Sequence, residues 1–212
     1  MIDPAIEEYV EKHTTPEDDV LYELNRQTHL QATKPRMLSG HLQGAFLKMV
    51  SHMLKPRRVL EIGTYTGYSA ICLSEGIPNG GELITIEQNR ELEDFIRYYI
   101  NKAGRQNVID IKIGNAIEEV DELKGSFDLV FIDAEKSDYI TYYKKILPKL
   151  KTGGYILADN ALWYGKVVED TPGNDAEAEG VKAFNDFVHQ DPQVENVLLP
   201  LRDGIMVLRK VP

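Results

Sequence analysis

The sequence predicts an α/β fold: a mostly parallel sheet covered by helices on both faces, closing with an antiparallel hairpin at its C-terminal end. Three observations carry this. From Pro56 onward, short apolar strands alternate with helical stretches. Two of the strands are apolar on both faces, most clearly Phe127-Asp128-Leu129-Val130-Phe131-Ile132-Asp133, as a doubly covered parallel sheet requires. Finally, Arg202-Asp203-Gly204 sits between two apolar runs, and Asp-Gly in that setting is a strong hairpin signal. A length of 212 residues suits one domain. Residues 1–55 form its N-terminal helical region and residues 56–212 its core.

Asp3-Pro4 supplies an N-cap and a first helical residue for a short helix ending near His13. Thr15-Pro16 restarts the helical pattern, with Val20, Leu21, Leu24 and Leu30 at helical spacing. Pro35 disfavours helix at Lys34, so residues 34–40 read as a loop. Leu42, Phe46, Leu47, Val50 and Leu54 share a face of a helix over residues 40–54. The first strand is residues 58–62, and a turn from Gly63 to Gly67 leads into a helix through Leu73. A second strand, residues 82–87, precedes a helix bearing Leu92, Phe95, Ile96 and Tyr99. Residues 108–113 are the third strand and residues 127–133 the fourth. A helix over residues 139–150, punctuated by Gly153-Gly154, leads to the fifth strand at residues 155–159. A long loop, residues 163–179, precedes a helix over residues 181–189. Residues 194–201 and 205–209 are the hairpin strands.

Composition removes several classes of function. Lys plus Arg number 24 against 34 Asp plus Glu, a net charge of −10, which disfavours a partner gripped through its phosphates. The one cysteine, Cys72, excludes an intramolecular disulfide and a multi-cysteine metal site, and its place in the chain suits a core thiol. The N-terminus lacks the basic start and apolar run of a signal peptide, and no segment approaches the ~20 apolar residues that cross a bilayer. A soluble, cytoplasmic protein is expected. The five histidines show no close ligand spacing, and no G-x-S-x-G elbow supports a nucleophilic serine.

In an open parallel sheet, ligands bind beyond the carboxyl ends of the strands. The turn Glu61-Ile62-Gly63-Thr64-Tyr65-Thr66-Gly67 departs from the dinucleotide fingerprint, because its glycines stand four apart and Tyr65 and Tyr68 crowd it. Glu61 would repel a pyrophosphate and favour a ligand bearing an amine and a sulfonium. Glu87, closing the second strand with Gln88 beside it, suits ribose hydroxyls. Together they suggest an adenosine ligand without a diphosphate. Asp133, Asp159 and Asn160 follow the fourth and fifth strands, whose ends lie ~5 Å apart if the strands are neighbours. Two carboxylates and an amide oxygen suit a hard cation such as Mg²⁺, Ca²⁺ or Mn²⁺. Taken singly, each residue favours a cap or a turn; the three together favour the metal. Lys136, three residues after Asp133, can swing over the same cluster and serve as a general base if a dication and burial lower its pKa. Trp163 and Tyr164 can wall an aromatic substrate or simply pack the loop.

With these residues assembled, the chain resembles the cation-dependent O-methyltransferases of the caffeoyl-CoA and catechol type. The likeness runs through residues 37–47, residues 60–69, Phe131-Ile132-Asp133-Ala134-Glu135-Lys136, Ala158-Asp159-Asn160-Ala161-Leu162-Trp163 and residues 199–205. It implies a Rossmann-like class I methyltransferase fold with a seven-stranded sheet, and S-adenosylmethionine as methyl donor. Glu61 and Gly63, with Tyr68 and Ser69 nearby, would line the methionine and ribose pocket. Met37 and Ser39 would cover the cofactor, Glu87 and Gln88 would meet the ribose, and Asn115 and Ala116 would border the adenine. Asp133, Asp159 and Asn160 would hold the cation, Asp133 also lying near the cofactor, and Lys136 would be the catalytic base. Glu135 and Asn115 depart from the family pattern, where aspartate is common at both. The implied activity is O-methylation of a small vicinal-dihydroxy aromatic by a homodimer. Two alternatives stand beside it: methylation of hydroxyuridine in tRNA, and a non-catalytic adenosyl-ligand-binding protein. A nicotinamide-linked oxidoreductase is disfavoured by the glycine spacing.

Overall fold

The computed structural model describes residues 3–169 and 175–212, and among them seven strands build a mixed, mostly parallel sheet. The strands are β1 (Arg58–Ile62), β2 (Glu82–Glu87), β3 (Ile109–Ile113), β4 (Phe127–Ile132), β5 (Leu150–Ala158), β6 (Val194–Leu199) and β7 (Ile205–Lys210). The helices are α1 (Pro4–Lys12), α2 (Asp19–Gln31), α3 (Gly40–Leu54), α4 (Tyr68–Ser74), α5 (Glu93–Lys102), α6 (Ala116–Glu122), α7 (Tyr139–Ile146) and α8 (Ala176–Gln190). The chain groups into two compact units, one of Arg58–Gly63 and Asn115–Pro212, the other of Thr64–Gly114 and the residues through Arg57.

In the first unit the strand order is β1-β4-β5-β7-β6. β4 runs parallel to both β1 and β5, while β7 is antiparallel to β5 and to β6. The predicted hairpin is therefore present, with its turn at residues 200–204. The core is aromatic and aliphatic: Phe127, Phe131, Tyr139, Tyr143 and Phe184 are buried, and both tyrosine rings meet Phe184 edge-on at 5.3 and 6.4 Å. Each such side chain removed from water contributes roughly 2 kcal/mol.

In the second unit β2 and β3 pair in parallel from Leu83↔Ile109 to Glu87↔Ile113. All seven residues of α4 are buried. Its neighbour α3 approaches closely because residue 44 is glycine; a β-carbon there would stand 2.5 Å from the Tyr68 ring. Asp18, not Thr15-Pro16, starts α2, its carboxylate accepting the N–H groups of Val20 and Leu21. Leu21, Leu24 and Thr28 form the buried stripe of α2, whereas Leu30 lies off it, 67% exposed.

Several elements depart from the sequence reading. The helix expected over residues 139–150 ends at Ile146, because Pro148 lacks the N–H that would continue it. β5 begins at Leu150 and takes in Gly153 and Gly154, beside a register irregularity against β4. α8 begins at Ala176, capped by Asp175, five residues before the expected start. α6, absent from the sequence reading, starts where the Asn115 side chain accepts from Ile117 N–H. Of the long loop over residues 163–179, residues 170–174 lie outside the described residues.

Candidate active site

The ends of β1, β4 and β5 place the chemistry of the first unit. Ile62 pairs with Ile132, and Ile132 with Ala158. The next residues continue the ladder: Asp133 N–H donates to Ile62 O at 2.8 Å, and Asp159 N–H to Ile132 O at 2.9 Å. Asp133 and Asp159 thus leave neighbouring strands at one level, as the sequence spacing implied. Gly63 stands beside them for a backbone reason, since a β-carbon there would lie 1.8 Å from Asp133 O.

Lys136 joins the two aspartates. Its Nζ donates to Asp133 Oδ1 at 2.8 Å and lies 5.1 Å from the centre of the Tyr139 ring. The side chain is buried. Burial alone would drive the amine toward neutrality, yet Asp133, Tyr139 and Asp159 outweigh it and hold the ammonium well above the ordinary lysine range. The lowering expected from sequence supposes a bound dication, whose positive charge would offset that of the carboxylates. The turn carrying Lys136 is held from α8. Glu177 Oε2 accepts Lys136 N–H at 2.8 Å, and Gly180 lets the helix approach to where a β-carbon would be 2.7 Å from Lys136 O.

Asn160 adopts a left-handed backbone, φ 54°. Its N–H donates to Asp159 Oδ1 at 2.8 Å, and its Nδ2 donates to Asp203 Oδ2 at 3.3 Å. The amide nitrogen is thereby engaged by the hairpin turn, which leaves the amide oxygen as the group available to a cation. Asp203 also accepts Tyr164 N–H through Oδ1. Ala161 and Leu162 N–H donate to Gly204 O and Asp203 O, and Asn185 Nδ2 donates to Ala161 O at 2.8 Å. Farther along the loop, Asp175 accepts from the Trp163 indole N–H and the Lys166 ammonium, interactions that hold its carboxyl down at about 2. Trp163 and Tyr164 rings stand 5.5 Å apart.

Asp203, Tyr139 and Glu177 are site residues that sequence reasoning missed. Asp203 had a signal, its Asp-Gly turn, but was read only as a turn. The donor set itself fits a hard dication: two carboxylates at adjacent strand ends and an amide anchored through its nitrogen. Among the described residues no group of three or more His, Cys, Asp or Glu is placed to hold a metal ion, and a site here depends on the amide as third donor.

The other candidate residues are placed as follows. In the first unit Glu61 is fully buried within β1, and exposed Asn115 caps α6, Ala116 being its first residue. In the second unit, Glu87 closes β2, its carboxylate accepting Tyr65 N–H at 2.7 Å and Asn89 N–H at 2.8 Å. Burial lifts that carboxyl above its ordinary range against the pull of these N–H bonds. Tyr68 is buried with its hydroxyl donating to Glu17, and Ser69 is buried beside it. Ser39 is buried, Met37 is exposed in the 3-10 turn Pro35–Met37, and Gln88 is exposed.

This is a class I methyltransferase fold. The chain superposes on the SAH-bound methyltransferase of Podospora anserina with a TM-score of 0.90 at 29% identity, covering 99% of this chain and 95% of that one. On the Bacillus cereus O-methyltransferase in complex with SAH the TM-score is 0.89 at 30% identity, covering 97% of each. The caffeoyl-CoA O-methyltransferase of Medicago sativa is 34% identical over 182 residues, spanning 80% of this chain and 73% of that one. A family model described as O-methyltransferase matches residues 11–211. The chain belongs to this O-methyltransferase family, and its activity is that of an S-adenosylmethionine-dependent O-methyltransferase.

Proposed function

We propose that the chain transfers the methyl group of S-adenosylmethionine to one hydroxyl of a small aromatic bearing two adjacent hydroxyls, with a divalent cation held by Asp133, Asp159 and Asn160. The observation that carries this reading is the pair of carboxylates on adjacent strand ends with the Lys136 ammonium 2.8 Å from one of them. Mere adenosyl binding needs neither the second carboxylate nor the lysine. The acceptor class is supported by relatives named caffeoyl-CoA O-methyltransferase.

A hard cation bound there would supply Lewis acidity, gathering two vicinal oxygens and lowering the pKa of the attacking hydroxyl. The protein's own residues do the rest. Asp133 holds the Lys136 proton through its negative charge; once that charge is engaged elsewhere the ammonium can release its proton to solvent, and the neutral amine can then take the hydroxyl proton. The acceptor oxygen then attacks the methyl carbon as the carbon–sulfur bond breaks, and S-adenosylhomocysteine departs. Trp163 and Tyr164 offer aromatic faces to orient the ring. In the second unit, we assign Glu87 to the ribose hydroxyls. Exposed apolar residues on α1 and α3 (Ile6, Tyr9, Met49 and Met53) support a homodimer.

The test is methyl transfer to catechol and a caffeoyl ester, with and without cation. Turnover is expected with Mg²⁺, is lost in excess EDTA and returns when Mg²⁺ is restored. Full activity in EDTA removes the cation from the reading, and inactivity on every dihydroxy aromatic removes the acceptor class.

A further inference from the structure

We infer that Tyr139 is a positioning residue for the cation ligands, acting through the backbone of β4 and β5 rather than on substrate. The inference rests on the cation site proposed above and assigns a function to a buried phenol that the reaction itself does not use.

Tyr139 is fully buried. Its Oη lies 3.2 Å from Ile132 O and 3.1 Å from Asp159 O, so its one proton is shared between two carbonyls. Ile132 is the last residue of β4 and immediately precedes Asp133. The Asp159 carbonyl belongs to the peptide that joins Asp159 to Asn160, two of the three assigned ligands. That peptide lies beyond the end of β5 and enters the left-handed turn at Asn160. A rotation there would displace the Asn160 side chain relative to Asp159, and the phenol opposes it. Ile132 O is also the acceptor for Asp159 N–H at 2.9 Å, so hydroxyl and ladder draw the same two strand ends together.

The ring contributes separately. One face lies 5.1 Å from Lys136 Nζ, and Phe184 of α8 meets the ring at 84°. Groups that orient metal ligands are worth about 10–100-fold in metal affinity. Removing only the hydroxyl therefore has a readable consequence.

Tyr139→Phe keeps the ring and its packing. In the full chain, Mn²⁺ affinity followed by electron paramagnetic resonance should fall roughly 10-fold or more, while S-adenosylhomocysteine affinity from calorimetry stays within about twofold of the parent, a spread too small to signal a lost contact. Phe184→Leu loosens packing on the same ring but leaves the hydroxyl, so it should lower the melting temperature without moving Mn²⁺ affinity. Unchanged Mn²⁺ affinity in Tyr139→Phe, or an equal loss in both variants, overturns the positioning role. If the parent binds no Mn²⁺, or binds it equally well as Asp159→Asn, the cation site itself fails and this role falls with it.

Discussion

At Gly63 the backbone takes φ +95°, and any β-carbon would collide with the carbonyl oxygen of Asp133. Gly63→Ala is expected to cost about 3 kcal/mol, from strain at a conformation L-residues rarely adopt and from displacement of the β4 end; calorimetric unfolding measures it. Lys136→Ala should lower kcat roughly 10²–10⁴-fold, the range of general acid–base catalysis, with S-adenosylhomocysteine affinity unchanged in titration. Equal loss of both would deny Lys136 its place as the base. The cluster of Asp133, Lys136, Asp159 and Asn160 was legible in the sequence because Asp133, Asp159 and Asn160 follow recognisable strands and Lys136 stands three residues after Asp133. Asp203 and Glu177 were not, since a hairpin turn and a distant helix bring them to the cluster only in three dimensions. The balance of charge at Lys136 was not legible, because spacing shows that an amine can reach a carboxylate but not which of burial and attraction prevails.

α8 is the element that steadies the Lys136 turn. Glu177 in its first turn accepts the Lys136 N–H, and its carboxyl is pushed up to about 7, first by burial and then by the adjoining Glu135 carboxyl. The raised value means that the folded state favours the protonated form. This contribution to stability is complete below the ordinary value of 4.5 and is lost as pH rises through about 7. Wild type should therefore melt at a higher temperature near pH 5 than near pH 8, and Glu177→Gln should shrink that difference; an identical pH dependence in the two proteins would contradict it. Among the elements, the strands and the hairpin were legible from apolar runs and Asp-Gly. Helix ends were less so. Gly180 lies inside α8, where its missing side chain admits the Lys136 turn. Pro148 ends a helix that the apolar spacing alone would have extended.

For the whole molecule, the family match along residues 11–211 takes in nearly the full chain as an O-methyltransferase. Among the described residues no helix is long and apolar enough to cross a membrane. Self-association is the property to test at this scale. Sedimentation velocity is expected to give a dimer, and replacing both Met49 and Met53 with glutamate should shift it toward monomer; a monomeric parent would end that reading. The fold class was legible from the alternation of strands and helices, whereas the grouping into two units depends on contacts that no single segment announces. The lone tryptophan gives the molecule an optical reporter. Trp163 is the only indole in the chain, and it is tied by its N–H to Asp175 in the loop proposed to face the acceptor. Its emission can register occupancy of that loop without any label, so acceptor candidates can be ranked by fluorescence before a single turnover is measured.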